Sequence, residues 1–192
     1  MPDTPFQPPH LQQPLLETAD WLYQSSERLA QQLNYAAQAV MHTITTGGRV
    51  FCAGEAEGAW LAQQAATLLV RGMGRERPPL AAQALLPPLH ATHPSLTQQV
   101  RALGHPGDLW LAFSLERDEV DLLAATEAAR EHDLTLVAFT GEAASVLGPQ
   151  LRDTDVWVPL PGTQAPTLFA IGWLALHGLC AAVDTHLLGE SA

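Results

Sequence analysis

The chain has 192 residues, of which 47% are hydrophobic and 15% charged; a chain of this length buries about 70% of its unfolded surface, enough for one domain, and the composition excludes a disordered tail. Nine basic residues, all Arg, stand against 20 acidic ones, a net charge of -11. With no lysine there is no Schiff-base chemistry and no Walker-type phosphate lysine, and so acidic a protein repels a phosphate backbone, which excludes direct nucleic-acid binding and leaves a basic protein as the fitting partner.

Met1 to Pro14 is rich in Pro and Gln and reads as a mobile arm, with neither the basic nor the apolar region of a signal peptide. From Leu15 to about Thr46, apolar residues recur at Leu22, Leu29, Leu33, Ala36, Ala37, Val40 and Ile44, the spacing of a long helix that Gly47-Gly48 stops. Arg49–Gly54 (RVFCAG) predicts a buried strand, Gly58–Arg71 a helix, Leu80–Leu86 a weaker strand and Ser95–Leu103 a helix ending at Gly104. Asp108–Ser114 (DLWLAFS) is a strand, Asp118–His132 a helix, Leu134–Thr140 a strand and Asp155–Leu160 the last strand. Thr167–Leu188 closes the chain as a helix apolar nearly all round. Even so, no apolar run is expected to reach the roughly 18 residues of a membrane span. Cys52 and Cys180 are too few for a disulfide framework and both lie in apolar runs, which points to a reducing cytoplasm.

Continuous apolar strands alternating with helices predict an α/β fold, a three-layer αβα sandwich around a five-stranded parallel sheet of flavodoxin-like order. It forms a single domain over residues 15–192, with residues 15–46 serving oligomerisation. Ligands of such folds bind beyond the carboxyl ends of the strands at the switch point. That places function at two turns, Gly54–Gly58 and Ser114–Glu119. There Glu55, Glu57, Glu116, Asp118 and Glu119 should cluster, either as a site for a cation or basic partner or as caps on two helix N-termini.

Other residues carry two readings each. His177 and Cys180, three apart on one helix, form a metal pair or ordinary core, and His90-x-x-His93 is a weak zinc signal in a Pro-rich loop. Glu127, Arg130, Glu131, His132 and Asp133 read as a solvated helix face. Trp110, Trp157 and Trp173 read as packing residues, whereas Trp60 stands beside the crevice mouth and is a candidate plug. Leu187-Leu188 is a partner contact or a helix-end contact.

The stretches GGRVFCAGEAEGAWLAQQAATLL, RPPLAAQAL, QVRALGHPGDLWLAFS and LTLVAFTG resemble the sugar isomerase (SIS) family, in particular its phosphoheptose isomerase group and the related DnaA initiator-associating protein. The likeness runs from about Leu15 to Leu188. It implies the αβα fold already read from the strands, and it adds a homotetramer packed through helices. It also implies a site that this chain has largely changed. The family's serine in the first turn falls on Gly58, its histidine on Gln64 and its glutamate on Leu68, the last two supplying metal ligation and acid/base chemistry. Leu68 has no titratable group to take a proton. The family's phosphate-cradling turn of hydroxyls becomes Ser114-Leu115-Glu116-Arg117-Asp118-Glu119, which keeps only Ser114. Two like charges about 4 Å apart repel by about 4 kcal/mol at an effective dielectric of about 20, so these carboxylates oppose a phosphate. The family's Gln-Glu pair falls on Phe169 and Ala170, and the loop between Leu85 and Gln99 is shortened. His177 alone remains at a catalytic position. The expectation is an oligomeric binding or regulatory protein without isomerase activity, cofactor or metal, with a replication initiator as the fitting basic partner; the alternative is a phosphosugar binder or isomerase with a rearranged site.

Overall fold

The computed structural model describes residues 9–74, 76–86, 95–116, 119–142 and 145–189. The elements in chain order are α1 (Pro9–Thr45), β1 (Val50–Gly54), α2 (Ala56–Arg71), β2 (Ala82–Leu85), α3 (Ser95–Leu103), β3 (Leu109–Ser114), α4 (Val120–Glu131), β4 (Thr135–Gly141), β5 (Val156–Leu160) and α5 (Ala165–Leu188). A short 3-10 turn, Gly148–Gln150, precedes β5. All strand pairs are parallel and the sheet order is β2-β1-β3-β4-β5. This is the flavodoxin-like order, with its reversal between β1 and β3.

Strand alternation sorts the core into two layers. Val50 and Cys52, Leu109, Leu111 and Phe113, and Val137 and Phe139 face α1, α2 and α5. Phe51 and Ala53, Trp110 and Ala112, and Leu136 and Ala138 face α3 and α4. Two indole N–H groups find partners across the layers: Trp110 Nε1 donates to Thr126 Oγ1 and Trp157 Nε1 to Thr140 Oγ1, each at 2.9 Å. Both thiols are buried. Burial, followed by the neighbouring Cys180, pushes the Cys52 thiol far up, and burial pushes Cys180 up to about 12. Neither is a nucleophile at neutral pH.

Two expectations change. The first helix begins at Pro9, six residues before Leu15. Proline costs little at a helix start because its missing N–H would have no partner there, and Pro14 is carried inside the first turns. The apolar pattern that marked the helix from sequence starts only after this polar segment. Residues 1–8 lie outside the described residues.

The second change concerns α5. It is 24 residues long and contains an 18-residue window of mean hydropathy 1.6, long and apolar enough to cross a membrane, contrary to the expectation that no run would be. In this fold the helix is a core element: Leu168, Ile171, Leu176, Leu179, Cys180 and Val183 are buried in the layer formed with α1 and α2. Its one acid, Asp184, is paired inside the protein. Asp184 Oδ1 accepts from Arg77 Nε at 2.6 Å and Oδ2 from the Met73 N–H at 2.8 Å, with the two side chains only 1% and 7% exposed. The bridge pins the segment after α2 onto α5.

Candidate functional site

The parallel register pairs Gly54 with Phe113, so the turns leaving β1 and β3 lie side by side at the switch point. The contact is close. A Cβ on Gly54 would run into the Gly58 backbone, and a Cβ on Gly58 would run into the Phe113 carbonyl oxygen. The start of α2 is thus drawn down onto β3. Ala56, at the first position of α2, holds φ 44°, a left-handed conformation that costs a non-glycine residue about 1–3 kcal/mol.

Carboxylates fill the crevice between these turns. Glu55 Oε1 accepts from the Leu122 N–H at 2.6 Å. Leu122 is the third residue of α4, so this amide has no acceptor within its own helix. Glu55 therefore caps α4 from across the crevice and leaves its own helix, α2, without a side-chain cap. Glu119 is only 3% exposed. Its Oε1 accepts from the Leu115 N–H at 3.2 Å, while Oε2 is buried without a hydrogen-bond partner. Burial pushes the Glu119 carboxyl up to about 7, and the charge of Glu55 adds to the shift; the Ser114 hydroxyl and the amides of Leu115 and Glu116 act in the opposite direction.

The expected site residues therefore divide. Gly54, Glu55, Gly58, Ser114 and Glu119 come together in the crevice. Glu57 and Glu116 are exposed at its edge. Asp118 and Arg117 lie outside the described residues, as do His90 and His93. Of the two readings of the acidic residues, helix capping holds for Glu55, although the helix it caps is α4 rather than its own.

The plug expectation for Trp60 is corrected. Trp60 is 69% exposed on α2, too open to solvent for a ring packed into a crevice.

His177 lies elsewhere, on α5. Its ring packs on Trp173 with centroids 5.0 Å apart. Nδ1 lies 2.8 Å from the Trp173 carbonyl, which can only accept, so the neutral ring carries its proton there and leaves Nε2 as an acceptor. His177 and Leu68 line one cavity of about 580 Å³, together with Arg71, Gly72, Met73, Gly74 and Glu76. The two positions that resemblance assigns to acid/base chemistry do face a common space, but one of them is an aliphatic side chain. Among the described residues, no three His, Cys, Asp or Glu side chains converge as metal ligands. Gln64 and Leu68 stand where the resemblance implies a metal-ligating histidine and glutamate, and Leu68 has no donor atom to offer a metal.

Two functional-looking groups that the sequence reading missed are structural. Asp121 in α4 caps α3, its Oδ2 accepting from the Ser95 and Leu96 N–H groups at 2.8 and 3.0 Å and its Oδ1 from the Thr97 N–H at 3.3 Å. Asp108 lies at the opposite end of the sheet. It accepts from the Arg49 N–H at 2.8 Å and the His105 N–H at 3.0 Å, which accounts physically for the GHPGD stretch.

A doubly wound sheet with its crevice at the β1/β3 switch point defines the class. Within it the chain belongs to the SIS domain family, whose profile matches residues 16–141. It is 36% identical over 189 residues to a phosphoheptose isomerase of Methylibium petroleiphilum, covering 94% of each chain. It is 33% identical over 180 residues to the DnaA initiator-associating protein DiaA of Citrobacter koseri, covering 85% of this chain and 88% of that one. In fold it is similar to the phosphoheptose isomerase of Francisella tularensis, with a TM-score of 0.85 at 23% identity over 92% of this chain and 97% of that one.

Proposed function

We propose that this chain is an oligomeric SIS-domain binding protein of the bacterial cytoplasm that has given up phosphosugar isomerisation and works by associating with a basic protein partner, a replication initiator being the partner its relatives suggest. The observation that carries this reading is the 2.6 Å bond from the Leu122 N–H to Glu55. A helix N-terminus at a switch point is where an anionic ligand docks, and here an internal carboxylate already holds the amide. Glu119 adds a second acid at the same place. Leu68 and Gln64 remove the base and a metal ligand that the resemblance calls for. The 33% identity to an initiator-associating protein and the net charge of -11 support a basic partner.

The test is a pair of measurements on the purified protein. Incubation with sedoheptulose 7-phosphate should give no aldose–ketose turnover and no rise in melting temperature, while the replication initiator of the same organism should bind. Turnover of the sugar phosphate would end this reading.

One observation favours a second reading, a phosphosugar binder with a displaced site. The cavity holding His177 also presents Arg71 as a cation and Glu76 as a carboxylate. On that reading the sugar phosphate raises the melting temperature and His177→Ala abolishes the rise.

A further inference from the structure

We propose that the outer face of α1, at Leu16, Asp20, Tyr23 and Glu27, is the docking surface for a basic segment of a partner protein. The inference rests on the reading of a basic partner, and it goes beyond it by naming where on this chain that partner sits.

Spacings of four, three and four residues put these side chains in one line along the helix. Thr18, Leu22, Ser25 and Leu29 form the opposite line, which faces the domain: Leu29 is in the core and Leu22 packs against it. The outer line stands in solvent. Tyr23 is 86% and Leu16 62% exposed, and Asp20 and Glu27 are exposed with them. Leu15, beside Leu16, is exposed as well.

The register of α1 against α5 carries this face past the rest of the domain. α1 leads into β1 and α5 leaves β5, so in a parallel sheet the two helices run the same way. Thr18 Oγ1 lies 3.4 Å from Thr167 Oγ1, in the first turn of α5. The nine residues Pro9–Glu17 therefore run on for about 13 Å beyond that contact, at the carboxyl end of the sheet. Leucines on such an end gain nothing from their own domain, and their apolar surface is buried only by a partner.

Charge selects the occupant. Between Pro9 and Glu27 the sequence has Glu17, Asp20 and Glu27 and no Arg or Lys. The next residue, Arg28, is already held by both oxygens of Glu142 at 2.7 Å. A second copy laid face to face would set the same carboxylates against these, in a chain of net charge -11. A segment bearing Arg or Lys meets no such repulsion. Tyr23 has an acid about one turn away on each side, so a guanidinium resting on its ring has Asp20 and Glu27 within reach of neighbouring cations.

The experiment titrates the whole chain with the replication initiator of the same organism as the probe, at low and at high salt, and follows each variant by sedimentation velocity. The native chain should bind. Asp20→Asn with Glu27→Gln, and separately Tyr23→Ser, should each weaken binding about tenfold or more, and salt should weaken the native complex far more than that of the neutralised variant. Sedimentation of the free variants should not change. Variants that bind as the native chain does overturn the docking surface and leave the basic partner standing. A native chain that does not bind ends the basic-partner reading, and the docking surface with it. A variant that sediments as a smaller species shows that a second copy covers this face, which also overturns the proposal. Hydrogen exchange on the native chain needs no substitution: the amides from Leu15 to Glu27 should slow when the initiator is added, and unchanged rates there overturn the proposal.

Discussion

Arg77 and Asp184 show what a single buried charge does here. Each is almost wholly out of water, and the pair is held by the carbonyl of Leu68 and the amide of Met73 as well as by each other. Removing one partner strands the other, so Asp184→Ala is expected to cost about 3–5 kcal/mol in urea denaturation, while Arg77→Met with Asp184→Leu together should cost far less. Gly58 gives a sharper test. Restoring the family's serine there would look like a repair, yet its Cβ meets the Phe113 carbonyl. Gly58→Ser should lower stability by about 1–3 kcal/mol and recover no sugar-phosphate binding; a stable variant that binds the ligand would show that the crevice opens readily. Glu119 has a pH signature in global stability. Its carboxyl is raised to about 7 from 4.5, so its contribution is fully present below 4.5 and is lost as pH climbs through 7. The melting temperature of Glu119→Gln relative to the native protein should accordingly rise between pH 4.5 and pH 7.5. A constant difference would mean that Glu119 is ionised throughout.

Three helix starts at the switch-point end are tied together by side chains borrowed from other elements. Glu55, ahead of α2, caps α4, and Asp121, within α4, caps α3. Such caps stabilise by about 1–2 kcal/mol each through otherwise orphaned amides. Asp121→Ala should thus lower stability by about that amount and speed exchange at the Ser95, Leu96 and Thr97 amides first, before the amides of α4. This linkage explains what the sequence could and could not yield. The strands and helices were legible because their apolar residues keep a period of two or of three to four, and the GG, GxxxG and PGD breaks mark the turns. The sheet order followed from handedness and strand count. At the site, the acids could be located in two turns from their positions alone. Which amide each carboxylate takes could not, because Glu55 and Leu122 are 67 residues apart and only the β1–β3 register joins them.

At the level of the whole molecule, the long helices have more apolar surface than one copy of the chain covers. On α5 Leu174 and Ala181 are exposed, Phe169 and Trp173 are half-buried against the edge of the core, and the helix carries no charged residue other than the buried Asp184. Leu174 is 56% exposed, and on α1 Trp21 and Tyr35 are exposed as well. A solvated helix in a chain of net charge -11 would be expected to show acids on its outer face. An uncharged outer face instead fits burial against further copies, as in a tetramer packed through helices. Substituting a carboxylate there buries an unpaired charge in any such contact, which costs far more than the same change costs a free surface. Leu174→Glu should therefore shift sedimentation velocity to a smaller species while leaving the far-ultraviolet circular dichroism unchanged. Unchanged sedimentation would show that this face is bare in solution.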